Sequence, residues 1–382
     1  MVVELVRDIV RFRELKDEWN NLLAKSELIS VFLTWEWLYY WWIHFKADKE
    51  LFILLIKDKE SGKLLGIAPF CIQKKELFNV TLVKKIMFLG TEKVASDFLD
   101  FIIYPESNEK VLETIYKYLD DMKHTWDIVE VGDIDKNASS IKIIRKLANK
   151  KYLTLIKKSQ ICPYVKLPQS HALLLESLSS KMRSNLKRST KQIGTRIAAD
   201  FSTCTQKEQV KENIEKVVTL HNTRFKEKHG NKKVKSAFSG DVITNFHYEV
   251  AESFFANNWL KFYSLTLDNK IAASLYGFLY KNRLFYYQSG INPEWRNFGI
   301  GNVLYSYCLE NCINSGLTEF HFLRGNENYK FRWTKEYTET INFFLCNRTL
   351  AGKFLYYFIK IKMIIRKFPK KDTYGKRNNP GL

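Results

Sequence analysis

The 382-residue sequence contains no run of about 18 uninterrupted apolar residues, the length a helix needs to cross a bilayer. A transmembrane span is not expected. The first twenty residues, Met1 to Asn20, are charged throughout and lack the apolar stretch of a secretory leader. The six cysteines, Cys71, Cys162, Cys204, Cys308, Cys312 and Cys346, form no C-x-x-C pair. Cys308 and Cys312 stand four apart without a histidine nearby, which argues against zinc, and no other metal constellation is present. Free thiols fit a reducing, cytoplasmic compartment. The G-x-x-x-x-G-K-[ST] phosphate loop and the G-x-S-x-G nucleophile elbow are also missing.

What is present is apolar and basic. Apolar residues make up 46% and aromatics 15%, enough to build a core in each of the two domains that this length suggests. The formal net charge of +20 implies attraction to anions such as CoA phosphates, nucleotide sugars, RNA or acidic lipid. Solvated lysines give the same count, so nucleic acid is not the expected partner.

Both halves repeat a strand–turn–strand pattern. Leu51–Ile56 and Leu64–Ile72 flank a turn with Ser61-Gly62. Leu260–Leu267, Ile271–Tyr280 and Arg283–Gln288 are separated by Asp268-Asn269-Lys270 and Lys281-Asn282. Apolar runs bounded by such turns read as antiparallel hairpins, and their repetition suggests a duplicated unit. Helical spacing is found over Asn108–Met122, Ala138–Lys150, Val210–Lys228 and Asp241–Ala256, with a strand at Trp126–Val131. Pro163 and Pro168 place the join near 165–170. Ser179–Gln192, with Lys181, Arg183, Lys187, Arg188 and Lys191, reads as a polar linker helix that could also meet an anion.

The most informative segment follows the strand that ends at Ser289-Gly290. Arg296-Asn297-Phe298-Gly299-Ile300-Gly301 opens a helix with apolar residues at Ile300, Val303, Leu304, Tyr307, Cys308 and Cys312, and Gly316 stops it. A helix N-terminus has unpaired N–H groups and a positive dipole end, so it attracts a pyrophosphate. Glycine lets phosphate oxygens approach the backbone, and Arg296 adds charge. A dinucleotide fingerprint would need a third glycine where Leu304 stands. A tight helix entry without a ligand is the competing reading.

The pattern [RQ]-x-x-G-x-[GA] between a hairpin strand and a helix resembles the CoA-binding motif of GNAT acyltransferases. Further segments resemble the CelD/BcsL-like branch, the cellulose-biosynthesis acyltransferases: Phe320-x-Phe322-Leu323-Arg324-Gly325-x-Glu327-x-Tyr329-Lys330-x-x-Trp333, His221-x-x-Arg224-Phe225 and Ser96-Asp97-Phe98-Leu99-Asp100. That branch is similar to FemAB proteins in having two GNAT-like halves. The resemblance implies an α/β fold of tandem GNAT-like domains, with mixed, mostly antiparallel sheets flanked by helices. It divides the chain into a degenerate unit over 1–166, a CoA-binding unit over 167–350 and a basic tail over 351–382. Only the second unit carries the glycine loop, so one CoA site is expected.

Acyl transfer needs a polarised thioester carbonyl, a deprotonated acceptor and a protonated leaving thiolate. By resemblance, the backbone of Ser289, Gly290 and Ile291 supplies the first, and Tyr329 the proton for the thiolate. Glu327 is a candidate base or a partner for Arg324. His221 and Arg224, spaced i, i+3 on one helix face, could meet the acceptor together. Asp97 and Asp100 could grip a hydroxyl-rich or amine acceptor, or cap a turn. The expected activity is acetyl transfer from acetyl-CoA, or another acyl-CoA, to an amine or hydroxyl of an amino sugar, sugar nucleotide or polysaccharide precursor; the sugar comes from the resemblance alone. The alternatives are a FemAB-like aminoacyltransferase using aminoacyl-tRNA and a non-catalytic accessory protein of exopolysaccharide synthesis.

The segment Lys353–Lys371 interleaves Phe354, Leu355, Tyr357, Phe358, Ile361, Ile364 and Ile365 with Lys360, Lys362, Arg366 and Lys367. It reads as a helix that either docks on the domain or lies on anionic lipid.

Overall fold

The computed structural model describes residues 1–77, 80–148, 151–229 and 237–365. The ends of two expected helices, at 149–150 and beyond 365, lie outside these residues. Runs rich in β-branched and aromatic residues form thirteen strands among the described residues. They are β1 (Val2–Val6), β2 (Lys49–Lys57), β3 (Leu64–Leu77), β4 (Val80–Phe88), β5 (Ile102–Ile103), β6 (Ile128–Asp135) and β7 (Leu153–Lys166). The second half adds β8 (Ala199–Thr203), β9 (Leu260–Leu267), β10 (Lys270–Tyr280), β11 (Arg283–Ile291), β12 (Glu319–His321) and β13 (Tyr337–Cys346).

One sheet carries them in the order β1-β2-β3-β4-β6-β13-β7-β12-β11-β10-β9-β8, with β5 on β3. The order is a pseudo-twofold repeat. In the first half β1 to β4 pair antiparallel, then β4 and β6 pair parallel. In the second half β8 to β11 pair antiparallel, then β11 and β12 pair parallel. The final strand of each half is exchanged. β13 pairs with β6 of the first half, and β7 pairs with β12 of the second. The two exchanged strands pair with each other from Tyr337↔Pro163 to Cys346↔Leu153. The fold is thus mixed α/β, with the expected duplication written into the strand order.

The hairpin turns obey local chemistry. Asp268, Asn269, Lys281 and Asn282 all have positive φ, between 43° and 61°, the conformation that two-residue hairpin loops require. Lys281 also joins the halves: its Nζ donates to the carbonyls of Leu23, Ser26 and Leu28 at 3.0, 2.9 and 3.0 Å, closing the end of the helix Lys16–Lys25.

Helices cover both faces. Trp35–Phe45 is apolar nearly all round and is buried on most sides, as such a helix must be. It lies between the halves, with Trp37 edge-on to Phe246 (5.0 Å) of the helix Asp241–Ala256. That helix and Gln209–His229 share one core with the first half. On the other face, Ser180–Arg196 and Ile300–Asn314 bury Met182, Leu186, Ile193, Val303, Leu304 and Cys308 in a second core.

Candidate functional site

The parallel pairing of β11 with β12 ends at Phe285↔His321. Beyond it the strands part. Leu323 and Gly325 have φ of 55° and 117°, and the N–H groups of Phe322 and Gly325 donate to Pro163 and Ile161 of β7. The chain after β12 therefore follows β7, while Tyr286 to Ile291 stay with β10. Ser289, Gly290 and Ile291 lie on this open edge. The Ser289 N–H is held by the Gln288 side-chain carbonyl at 3.2 Å, so a backbone donor at this edge is met by a movable amide rather than by a strand.

The glycine loop sits at the end of the same strand. Pro293–Phe298 is a short 3₁₀ helix, started by the Asn292 side chain accepting from the Glu294 N–H. Gly299 follows in the left-handed region (φ 65°, ψ 27°) and caps both helices. The helix Ile300–Asn314 has no side-chain cap; the Asn302 N–H donates to the Gly299 carbonyl at 3.0 Å, and the N–H groups of Ile300 and Gly301 before it are those that suit an anion. A cavity of about 160 Å³ opens there, lined by Ile291, Arg296, Gly299, Ile300, Gly301, Asn302, Tyr305 and Tyr329. Asn297 is exposed outside this lining, and Phe298 packs on Trp295.

The two glycines differ in what they permit. A Cβ on Gly301 would meet only the tip of Ile291, at 2.8 Å. A Cβ on Gly299 would come within 2.6 Å of Ser189 Oγ on the basic helix, at a φ that side chains disfavour. Gly290 serves packing. Its Cβ would fall 2.2 Å from Leu220 Cβ and 2.8 Å from the His221 nitrogen. The helix Gln209–His229 thus lies directly on the open strand end and brings His221 beside it. The His221 ring meets Phe225 at 6.2 Å and Phe238 at 5.5 Å. The Arg224 side chain lies outside the described residues.

Tyr329 closes the cavity. Its ring stacks on Tyr305 at 5.7 Å and 8°. A hydroxyl chain runs beneath: Tyr305 donates to Tyr286 at 3.0 Å, and Tyr286 meets Ser289 Oγ at 2.7 Å. Burial, and then the neighbouring Tyr286 and Tyr305, push the Tyr329 phenol far above its usual pKa. It therefore stays protonated. Tyr286 and Tyr305 were not anticipated, although Tyr305 stands one helical turn after Gly301.

Other expected site residues lie elsewhere. Glu327 is exposed and pairs with Lys330 at 3.1 Å. Asp97 and Arg324 do come together, but on each other rather than around a cavity. Arg324 Nε and Nη2 reach Asp97 Oδ1 at 2.8 and 2.7 Å, and Nη2 reaches Asp133 at 3.1 Å. Burial works against the guanidinium charge, but the two carboxylates outweigh it and hold Arg324 protonated. Asp100 lines a separate cavity of about 390 Å³ at the closed end of β11 and β12, with Asp135, Arg283, Glu319 and His321. Burial raises its pKa to about 6. No cluster of three or more His, Cys, Asp or Glu that could hold a metal occurs among the described residues.

Known proteins place this geometry. Residues 180–331 match the family described as an acetyltransferase (GNAT) domain. FemX superposes with a TM-score of 0.62 at 9% identity, covering 94% of this chain and all of FemX. A conserved protein of unknown function from Bacteroides thetaiotaomicron superposes at 0.54 and 11% identity, over 91% of this chain and 100% of its own. At such identities these likenesses establish the fold. No curated protein matches the sequence. The matched segment runs from the basic helix through the glycine loop to Tyr329, so this part of the chain is similar to GNAT acetyltransferase domains, and that similarity indicates an acyltransferase.

Proposed function

We propose that the protein transfers an acyl group from acyl-CoA, acetyl-CoA in the simplest case, to an amine or hydroxyl of a sugar-like acceptor. The observation that carries this reading is the cavity shared by Arg296, the uncapped start of the helix Ile300–Asn314 and Tyr329. The helix start and Arg296 suit the CoA pyrophosphate. The open edge of β11 offers backbone N–H groups to the thioester carbonyl once the Gln288 amide yields. The acceptor nitrogen or oxygen attacks that carbonyl, the C–S bond breaks, and Tyr329 donates its proton to the departing thiolate. His221, beside Gly290, takes the acceptor's proton. The sugar-like acceptor rests on the CelD/BcsL-like resemblance.

Calorimetric titration of acetyl-CoA into the folded wild type and Gly301→Val tests this. Wild type should bind, and the variant should lose at least one decade of affinity, because a branched side chain then stands where phosphate oxygens approach. Folded wild type that binds no acyl-CoA overturns the reading.

A second reading, an aminoacyl-tRNA-dependent transferase, is favoured by one observation. The basic helix Ser180–Arg196 brings Ser189 against Gly299, so a helix rich in lysine and arginine stands beside the same loop. Binding of acceptor-stem RNA with a steep salt dependence, in place of acetyl-CoA, would support it.

A further inference from the structure

Among the described residues, half of the large exposed apolar side chains lie on one helix. Leu350–Ile365 exposes Leu350, Phe354, Tyr357, Phe358, Ile361, Ile364 and Ile365, with Phe354 at 67% and Ile361 at 55%. The other seven are scattered over the rest of the described surface.

The helix has two apolar faces. At 3.6 residues per turn, Gly352, Leu355, Tyr356, Ile359 and Met363 form one stripe. This stripe docks: Leu355, Tyr356 and Ile359 pack on Ile128, Phe344 and Cys346 of the sheet, and Gly352 is buried where a Cβ would strike the Asn347 and Asp127 carbonyls. The exposed set lies opposite, over an arc of about 120° by the same geometry. A helix apolar on both faces needs a second apolar medium. The cations fall between the stripes. By the same count Lys353 and Lys360 stand on one flank and Lys362 on the other. Lys360 lies over the Tyr356 ring at 5.6 Å and Lys362 over Phe358 at 4.1 Å, so their stems follow the rings while their charges reach outward. Residues 347–371 contain eight Lys or Arg and no Asp or Glu.

We infer that the outer face of Leu350–Ile365 is a docking surface for an anionic bilayer, with its rings and isoleucines in the acyl boundary and its lysines at the headgroups. The absence of acidic residues selects negatively charged lipid over neutral lipid, and the docked inner stripe fixes how the domain sits on it. This surface is independent of the acyl-transfer reading.

The test is co-sedimentation of the full chain with phosphatidylcholine vesicles and with vesicles one-third phosphatidylglycerol. The variants are F354E/I361E and K353E/K360E/K362E, whose folding is checked by circular dichroism. Wild type should sediment with the anionic vesicles only, and less at high salt. Each lysine lost should weaken binding about fivefold, and F354E/I361E should abolish it. Three results overturn the inference: no sedimentation of wild type, equal sedimentation with both lipids, or wild-type binding by F354E/I361E. Light scattering without lipid adds a fourth. A dimer that F354E/I361E dissolves would assign this face to a second copy of the chain.

Discussion

Arg324 meets Asp97 through both its backbone and its side chain: the backbone N–H donates to Asp97 Oδ2 at 2.9 Å and Nε to Oδ1 at 2.8 Å. The two residues stand 227 positions apart in sequence, one in each half. Asp97 is fully buried, so removing its partner leaves a carboxylate with little water. Arg324→Ala should cost about 3 kcal/mol in urea unfolding, near the lower end of what a broken buried pair costs because Arg324 keeps some exposure. The apolar double variant D97L/R324M should recover part of the loss. An Arg324→Ala protein as stable as wild type would show that the pair contributes nothing.

Tyr329→Phe removes one hydroxyl and keeps the stack on Tyr305. Turnover, followed as thiol release from acetyl-CoA with an amino-sugar acceptor, should fall about 10²–10⁴-fold. The acetyl-CoA dissociation constant should stay unchanged, since an interaction made only in the transition state does not alter ground-state binding. Unchanged turnover would reduce Tyr329 to a wall of the cavity.

Gly290→Ala probes how tightly the helix Gln209–His229 lies on the strand. The added Cβ meets Leu220 and the His221 backbone rather than a side chain that can swing away. The helix must shift, at a cost of about 1–3 kcal/mol, read by urea unfolding. A neutral outcome would mean that the helix is free to slide.

His247 sits among Trp37, Phe238, Phe246, Tyr276 and Tyr287. Burial lowers its pKa to about 3. The unfolded chain takes up this proton near pH 6.5. The stability carried by the neutral ring is therefore complete above pH 6.5 and is lost as pH falls toward 3. By pH 4 the loss is about 3 kcal/mol. In His247→Phe this term vanishes, and the midpoint of acid unfolding, followed by circular dichroism, should move to lower pH. An unmoved midpoint would place the acid sensitivity elsewhere.

What sequence reasoning could reach was local. The turns at Asp268-Asn269 and Lys281-Asn282 announce their hairpins because few residues accept positive φ, and Arg296 to Gly301 announce a phosphate-binding helix entry. The Trp35–Phe45 helix escaped, because an all-round apolar segment has no face to read, and its burial depends on the second half closing over it. The Tyr286–Tyr305 hydroxyl contact escaped because it joins a strand to a helix. Asp97 and Arg324 were both singled out, but not as partners: each looks like a ligand residue until the other is placed against it. The tail helix was read as facing either the domain or a membrane. Its spacing holds two opposed stripes, of which the inner one packs on the sheet.

The exchange of β7 and β13 sets a clock. In the pair Thr340↔Asp135, the later residue is made 205 positions after the earlier one. At roughly 5–20 residues per second of synthesis, β6 waits on the order of 10–40 s with that edge bare. A waiting edge strand invites pairing with other chains, so a nascent first half should be a chaperone client until residue 346 leaves the ribosome.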